Sequence, residues 1–464
     1  MKYAAYPSYK FSGTEWIGNI PGNWECRRLK DCGALLGGAG FPHEYQGLED
    51  EELPFYKVGD LSQSLDGQHM ASGEHTISRT TAYSLRAKVI PPSAVVYAKI
   101  GAALLLNRRR ITVKDCCIDN NMTAFIPNQR KLSTAWAHYW LCTLDFGEFT
   151  NPGAVPSLSE GYQSILPITL PPLDEQKTIA HFLDAKTAQI DALLAQKRQL
   201  IAKLKEKRQA LIARTVTRGL PPEAAKAAGL ESNPEMKDSG VDWLGEVPER
   251  WKVLPLRRLI KFVKTGNTPS GAEDHHFEDG GFNWYSPSDF SEDIYLGLAN
   301  RALSAEGKAE VRIFPEETVM LVGIGATIGK VGLALGECSC NQQINAIGCG
   351  PKLDPVFATY YLKILRDFIV KCGKFTTMPI INQDETKNLV FTVPPLSEQS
   401  AIAAYLDRET VEIDRLIVQV DEAISRLTEY RQALITSAVT GKIDVRRFRH
   451  SGAGRNPVVE VEHA

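Results

Sequence analysis

The clearest pattern of apolar and polar positions lies in two long stretches, one in the middle of the chain and one near its end. From Ile179 and from Ile402 onward, apolar side chains recur with the four-then-three spacing that places them on one face of a helix. Each stretch follows a Pro-Pro pair, after which Asp174 or Ser397 can cap a helix and the next residue, a glutamate, suits the helix dipole. The pattern predicts two helices of about 40 residues, roughly 60 Å long.

The predicted contact seams of these helices are mostly apolar. Their large apolar positions are Ile179, Leu183, Ile190, Leu193, Leu200, Leu204 and Leu211 in the first helix, and Ile402, Leu406, Ile413, Leu416, Val420, Leu427 and Leu434 in the second. Lysines interrupt the first seam, and Glu409 is the charged position of the second. Such seams predict a coiled coil.

Outside the helices, the pattern changes to short β-rich runs that Gly and Pro punctuate, such as residues 94–100 and 317–322. We therefore predict an α+β fold with mixed, β-rich domains at 1–166 and 236–390. Helical spacers are expected at 167–235 and 391–445, and a disordered tail at 446–464.

The two halves of the chain repeat each other. Residues 12–24 read SGTEWIGNIPGNW and residues 239–251 read SGVDWLGEVPERW, while LPPLDEQ at 170–176 returns as VPPLSEQ at 393–399. Between these signatures the halves are much less alike. Because two copies of one unit normally pack about a pseudo-two-fold axis, we expect antiparallel helices that carry two different domains at opposite ends.

Composition narrows the functional classes only a little. The net charge of −2 requires any nucleic-acid surface to be a local basic patch. No apolar signal core and no stretch of about 18 apolar residues is present, which favours a cytoplasmic protein. Nine cysteines at irregular spacing indicate buried free thiols and no disulfide framework.

In combination, these signatures resemble the specificity subunit of type I restriction-modification systems. The motifs are W-[IL]-G-x-[IV]-P-x-x-W, PPL-x-EQ followed by [FY]-L-D, the RQALI runs at 208–212 and 431–435, and TGNTPS at 265–270. The resemblance covers about residues 12–445. It implies a non-catalytic chain with two target recognition domains, each reading one half of a bipartite, asymmetric DNA site, while the helices set the unread spacer.

The resemblance also implies partners. Double-stranded DNA would be the ligand, and two methyltransferase (M) subunits would bind the frame, joined by restriction (R) motor subunits in a bacterial or archaeal cytoplasm. S-adenosylmethionine, and ATP with magnesium for restriction, would belong to those subunits. This chain would itself hold no cofactor, no metal and no catalytic residue.

Candidate DNA contacts are polar or basic residues in the two globular domains. In the first domain they are Lys57, Ser62, Arg108, Arg109, Arg110, Asn120 and Asn121. In the second they are Lys264, Asn267, Thr268, Ser270, Ser286, Ser288, Lys330, Gln342 and Gln343. Arginines suit phosphates and guanine edges, and paired amides suit adenine. A solvent-facing hairpin tip, amides that bond loop backbone and ordinary surface loops are the alternatives, and Asp60 and Asp289 are expected to fix their loops.

Two further motifs have structural explanations. The segment GIGATIGKV at 323–331 is similar to a phosphate loop, but five residues rather than four separate its glycines and Val331 replaces the Ser/Thr, so a tight β turn is expected. Asp274-His275-His276 lacks further ligands at metal-site spacing, which favours a solvated loop. A coiled-coil scaffold that never meets DNA, and an enzyme that uses nucleotides by itself, remain alternative functions.

The helix charges differ between the halves. The first helix is strongly basic around 197–208, and the second is more acidic between 409 and 429. This difference allows complementary pairing of the helices, a solvated face, or a basic strip over the DNA spacer.

Overall fold

The computed structural model describes residues 3–64, 66–71, 73–150, 155–270, 274–372 and 379–448. The chain forms two compact units. The first comprises the residues up to Lys197 together with those from Glu422 onward, and the second comprises Arg198–Asp421. Each unit contains strands, short helices and part of both long helices, which confirms the α+β class.

The strands of the N-terminal half are β1 (Tyr9–Phe11), β2 (Asn19–Pro21), β3 (Glu25–Arg28), β4 (Gly33–Gly37), β5 (Leu53–Tyr56), β6 (Thr76–Ile77), β7 (Val95–Ala98), β8 (Arg109–Ile111), β9 (Cys117–Ile118), β10 (Met122–Pro127) and β11 (Pro167–Leu170). The helices of this half are α1 (Arg79–Ser84), α2 (Ala102–Leu105), α3 (Thr134–Leu141), α4 (Glu160–Ile165), the long α5 (Leu173–Arg218) and α6 (Pro222–Ala227).

The strands of the C-terminal half are β12 (Met236–Asp238), β13 (Glu246–Pro248), β14 (Lys252–Pro255), β15 (Ile260–Thr265), β16 (Phe277–Tyr285), β17 (Ala302–Leu303), β18 (Thr318–Val322), β19 (Val331–Ala334), β20 (Ser339–Cys340), β21 (Ile344–Cys349) and β22 (Val390–Val393). Its helices are α7 (Ala305–Glu310), α8 (Pro355–Ile364), α9 (Arg366–Cys372), α10 (Gln383–Lys387) and the long α11 (Leu396–Val439).

Both units have the same sheet topology. An antiparallel sheet has the order β4-β10-β7-β8 in the first unit and β15-β21-β18-β19 in the second. A mixed sheet in each unit contains a parallel pair, β5 with β9 and β16 with β20. The internal repeat seen in the sequence is therefore a repeat of structure.

The long helices begin where the Pro-Pro pairs predict, at Leu173 and Leu396. Within each unit they run antiparallel. In the first unit Arg431 pairs with Asp191, with 2.8 Å between Nε and Oδ1, and in the second unit Arg208 pairs with Asp414 at 3.1 Å between the same atoms. Arg431 is equivalent to Arg208 in the repeat, and Asp191 is equivalent to Asp414. The same ion pair is therefore made in both units, with α5 and α11 in exchanged roles.

The buried face of each long helix departs from part of the predicted seam. The predicted positions that are buried are Ile179, Leu183, Ile190, Ile402, Leu406, Ile413 and Leu434, and those that are partly buried are Leu204, Leu211, Val420 and Leu427. Leu193, Leu200 and Leu416 are 44–47% exposed, so the predicted seam is wrong there. A 3.5-residue repeat drifts by about 20° per heptad on a straight α-helix, and Leu194 has consequently replaced Leu193 on the buried face.

The glutamate of each PPL-x-EQ motif joins a long helix to the repeated tryptophan. Trp24 donates its indole N–H to Glu175, with 3.0 Å between Nε1 and Oε1, and Trp251 donates to Oε2 of Glu398 at 3.2 Å. Both indoles are fully buried. A buried N–H needs an acceptor, which explains why glutamate stands at this position in both copies.

The glutamine of the motif makes three hydrogen bonds to the backbone of two segments. Gln176 Nε2 donates to the carbonyls of Lys131 and Pro171, both at 2.9 Å, and its Oε1 accepts from the backbone N–H of Ser133 at 2.9 Å. Gln399 makes the equivalent bonds to Lys352, Pro394 and Asp354. The motif thus fixes the start of each long helix against its globular domain.

One expectation needs correction in the second unit, and the expected tail near the chain end stays a prediction. The tail was predicted from residue 446, but the Phe448 ring lies edge-on to Phe182 with 5.0 Å between centroids, and Arg446 forms an ion pair with Asp444. The rest of the predicted tail, from residue 449, lies outside the described residues. His276 was placed in a solvated loop, yet it is buried, because it packs in a short 3-10 helix beside Glu310.

Among the described helices, none combines the length and the apolar character needed to cross a membrane.

Candidate nucleic-acid interface

The carboxyl ends of the parallel strands bring several candidate residues together. Because β5 and β9 run side by side, the loops that follow them meet, and the same holds for β16 and β20. We call the resulting loop clusters the first rim and the second rim. The first rim comprises residues 38–42, 57–62, 99–101, 119–121 and 155–157, and the second rim comprises residues 266–270, 286–289, 323–325, 341–343 and 379–382.

Backbone hydrogen bonds hold each rim together in the same way. In the first rim the N–H of Lys99 donates to the carbonyl of Asn121 at 2.8 Å, and that of Gly101 donates to Pro156 at 2.8 Å. In the second, Gly323 donates to Gln343 at 2.8 Å and Gly325 to Pro379 at 3.3 Å. The two rims therefore share a backbone frame.

One glycine in each rim is required by a close backbone crossing. A Cβ atom on Gly38 would lie 1.9 Å from the carbonyl oxygen of Asp119, and a Cβ on Gly266 would lie 1.9 Å from that of Cys340. Both distances are far below van der Waals contact. The glycines allow the loop after the first strand of each sheet to reach the amide pairs.

Acidic side chains fix the loops from within. Asp60 Oδ2 accepts from the backbone N–H of Lys57 at 2.6 Å, and Asp289 Oδ2 accepts from that of Ser286 at 2.7 Å. Asp119 accepts from the N–H of Asn121 at 2.8 Å, and burial raises the pKa of its carboxyl despite that bond. Asp60 and Asp289 stabilise the loops, as the sequence indicated.

The amide pairs lie on the rims. Asn120 and Gln342 are exposed, and Asn121 and Gln343 are partly buried beside them. Gln342 Oε1 accepts from the hydroxyl of Thr268 at 2.8 Å. Its amide nitrogen has no protein acceptor among the described residues, which leaves a donor at the surface of the second rim.

A cleft of about 360 Å³ opens beside the second rim. Neutral polar side chains line much of it, among them Thr265, Gln343, Asn345 and Gln383, and Asp384 lines it as well. Gln383 donates its amide to the Thr265 hydroxyl at 2.7 Å. Amides and hydroxyls held in fixed orientations are the groups that distinguish base edges in DNA. Asn345 and Gln383 were not among the sequence candidates, because neither belongs to a signature that is repeated between the halves.

Other candidates on the rims serve the loops as well as the surface. Lys57 donates to Gln46 at 3.0 Å and Ser62 to the carbonyl of Gly59 at 2.7 Å. Ser286 and Ser288 share a hydrogen bond at 2.7 Å, and Ser270 donates its backbone N–H to Glu310.

Asn267 lies in the second rim and Lys264 just before it, in different settings. The side chain of Asn267 uses both ends to hold the segment around Glu310 and Arg312, at 3.0 and 2.8 Å. Lys264 is exposed on β15, with its ammonium 5.7 Å from the Phe262 ring centroid. Lys264 is therefore the more available of the two.

The arginine run is not a surface triad. Arg109 is 2% exposed and donates to the carbonyls of Leu144 and Asn107, with its guanidinium 3.9 Å from the Phe146 ring centroid. Burial lowers the pKa of this guanidinium. Its selection as a DNA contact was wrong, because alternation along β8 turns Arg109 inward with Ile111. Arg108 and Arg110 are partly buried.

Lys330 ends a β turn, as the sequence favoured over a phosphate loop. The N–H of Val322 donates to the carbonyl of Lys330 at 2.8 Å, and the segment continues into β19 instead of a helix. Its ammonium donates to the carbonyl of Phe290 at 2.8 Å. Lys330 thus lies away from the amide pair, at the far end of the same turn.

A family model for the type I restriction modification DNA specificity domain matches the chain twice, over residues 21–203 and 248–420. The chain belongs to this family. Each match begins in one globular domain and runs into the long helix that follows, so the type I specificity domain corresponds to the repeated unit. The chain thus carries two recognition domains of a DNA specificity protein.

Relatives within the type I specificity family match over most of their length. The MjaX specificity subunit assigned to a type I restriction enzyme of Methanocaldococcus jannaschii is 24% identical over 95% of this chain and 98% of its own. The StySPI specificity subunit of Salmonella potsdam is 23% identical over 92% of this chain and 90% of its own.

A solved structure shares the fold of the type I specificity chain. It is described as the "structural basis underlying complex assembly and conformational transition of the type I R-M system", and it matches with a TM-score of 0.61 and 18% identity. The match covers 90% of this chain and 98% of that one. The arrangement of two repeated units with two long helices is therefore the arrangement of a known fold.

Proposed function

We propose that each recognition domain reads one half of a bipartite, asymmetric DNA site. The observation that carries this proposal is the pair of rims, which have equivalent backbone bonds but different side chains. The first rim presents asparagines and Lys57, and the second presents glutamines, Thr268 and serines. One frame with two different polar surfaces suits a site whose halves differ in sequence.

The long helices set the length of the unread spacer in this proposal. Each helix begins in one compact unit and ends in the other, since α5 passes Lys197 and α11 passes Asp421. A helix has a fixed rise per residue. The number of helical residues would therefore fix the number of base pairs between the half-sites.

The chain is further proposed to dock two methyltransferase subunits and, through them, restriction motor subunits. Trp16 and Trp243, equivalent residues of the repeated signature, are 49% and 40% exposed and lie 5.8 and 5.9 Å from the rings of Trp140 and Phe368. Two alike apolar surfaces suit two copies of one partner. The subunits would act in a bacterial or archaeal cytoplasm.

Catalysis belongs to the partners in this scheme. S-adenosylmethionine would be held by the methyltransferase subunits, and ATP with magnesium by the restriction subunits, while this chain contributes no catalytic residue. Methyl transfer by the isolated chain would contradict this division.

The test is a map of methylated adenines in the host genome, with and without the gene, by single-molecule sequencing. We expect one split motif to lose its methylation when the gene is deleted. An unchanged map, combined with DNA affinity of the complex that does not depend on salt, would support a protein scaffold instead.

A further inference from the structure

A cleft of about 250 Å³ in the second unit is lined by four cationic side chains. Arg208 comes from α5, Lys363 from the end of α8, Arg366 from the start of α9, and Lys330 from the turn before β19. The loop residue Glu292 closes the cleft. All of these residues belong to one compact unit.

Among the described residues, two of these four cations lack a carboxylate partner, although the carboxylate of Asp367 also lines the cleft. Arg208 pairs with Asp414, and Arg366 has a carboxylate oxygen of Glu292 3.8 Å from its NH1. Lys363 and Lys330 donate to backbone carbonyls, of Glu292 at 2.6 Å and of Phe290 at 2.8 Å. Neither ammonium has a carboxylate within 4 Å among the described residues. A carbonyl satisfies one hydrogen-bond donor but does not neutralise an ammonium.

Burial makes the charge of Lys363 costly. It lowers the pKa of Lys363 to about 8, against the opposing influence of Glu292, Asp293 and Asp414, while Arg208 lowers it further. An ammonium retains two more N–H donors after bonding one carbonyl. An oxyanion in the cleft would accept hydrogen bonds from these remaining N–H groups.

The cleft lies next to one part of the second rim along the chain, since Ser291 and Glu292 line the cleft and residues 286–289 belong to the rim. Residues 323–325 belong to that rim, and the same turn ends at Lys330, whose carbonyl accepts from Val322. A DNA backbone that passes the rim would therefore meet the cleft next. The first unit differs at two of these positions, where Cys142 and Asp145 stand in place of Lys363 and Arg366.

We propose that this cleft binds a phosphodiester group of the DNA backbone next to the half-site read by the second unit. The proposal rests on the DNA-reading function proposed above. It adds one phosphate contact, which positions the duplex and carries no sequence information.

The test uses the full chain in complex with its methyltransferase subunits. In Arg366→Gln, whose native side chain is 42% exposed, the fold should be retained. We expect weaker binding to duplexes both with and without the methylated motif. The slope of the logarithm of the binding constant against the logarithm of the salt concentration should fall in magnitude by about 1. The sequence of the methylated motif should not change. The matched control is Arg415→Gln, which removes a 68% exposed cation of the same unit outside the cleft and should change neither quantity.

Each other outcome has a distinct meaning. A salt slope equal to that of the control, or a changed motif, would overturn the phosphate contact. Binding of inorganic phosphate to the complex that requires Arg366, with no change in the DNA slope, would assign the cleft to a free anion and also overturn the proposal. Failure of the wild-type complex to bind DNA at all would instead remove the DNA-reading function itself.

Discussion

Single side chains that look alike in the sequence have opposite environments in the fold. Among the cysteines, Cys116 and Cys338 lie in the apolar core, and burial raises the pKa of each thiol to about 12. Cys142 is partly exposed and lies 3.7 Å from His138, measured between Sγ and Nε2. Burial would raise its pKa, but His138, Arg109 and Arg431 outweigh that effect and lower the pKa to about 7.

Among the cysteines whose side chains the structure describes, alkylation should therefore single out Cys142. With iodoacetamide and mass spectrometry, we expect its labelling rate to rise through pH 7, because the reactive thiolate forms above the pKa. Cys349 is also partly exposed, but burial raises its pKa to about 12, so it should stay unlabelled at pH 8. Equal labelling of the two cysteines would contradict the assigned environment.

A second prediction at this scale concerns the buried motif glutamines. Gln176→Leu removes three hydrogen bonds and leaves their backbone partners unpaired. Each unpaired group costs about 1–3 kcal/mol, so we expect the free energy of unfolding to fall by about 3 kcal/mol or more. Gln399→Leu should cost a similar amount in the second unit.

Thermal unfolding would measure the loss of stability of each variant. Hydrogen exchange would show that the loss lies in the first unit for Gln176→Leu and in the second unit for Gln399→Leu. Lys177→Ala, a neighbour with a 63% exposed side chain, is the matched control and should change little. A midpoint for Gln176→Leu that equals this control would show that the motif glutamine does not fix the helix start.

At the level of elements, the two long helices make one set of contacts twice. Their exchanged ion pairs, Arg208 with Asp414 and Arg431 with Asp191, show that the seam has the same register in both units. The buried positions follow the 3.6-residue period of a straight helix. Changes of helix length must therefore preserve both the register and the buried face.

Insertion of seven residues after Lys197 and seven after Asp421 should satisfy both conditions, because a heptad turns the buried face by only about 20°. Seven residues add about 10 Å, which corresponds to about three base pairs at 3.4 Å each. We expect the spacer of the methylated motif to become longer by that number of base pairs, while both half-sites stay unchanged.

The same insertion in α5 alone is the control and should abolish methylation, since it breaks the register. A normal spacer in the double insertion would refute the role of the helices as a ruler.

How far the sequence predicts this molecule depends on how local each determinant is. The starts of α5 and α11 were predictable, because the Pro-Pro pairs that precede them act on adjacent residues. The burial of Arg109 was not, since its acceptor, the Leu144 carbonyl, lies 35 residues away. The rims were also hidden, because the parallel pairing of β5 with β9 joins residues about 60 positions apart. The departure of the buried face from the four-then-three spacing could have been foreseen from helix geometry. A period of 3.6 residues, counted from Ile190, predicts that Leu194 is buried in place of Leu193.

For the whole molecule, the important property is a common frame with two unlike readers. The repeat extends to individual hydrogen bonds in the frame, whereas the rims and the basic cleft differ between the units. This separation predicts that the readers can be exchanged without loss of assembly.

Replacing residues 12–165 with the corresponding domain of another specificity chain should change one half of the methylated motif and leave the other half and the spacer intact. The first rim lies within the exchanged segment and the second does not. Methylation mapping would show this directly. A change in both halves would mean that the domains do not read independently.

Because α11 begins in the second unit and ends in the first, the long helices also set the order in which a newly made chain can finish folding. The second unit is one continuous run, Arg198–Asp421, but the first needs residues from both ends of the chain. The hydroxyl of Thr169 donates to the carbonyl of Val439, and the N–H of Asp444 donates to that of Ala4. The half that leaves the ribosome first is therefore the half completed last, and its apolar core stays open until translation has passed Val439.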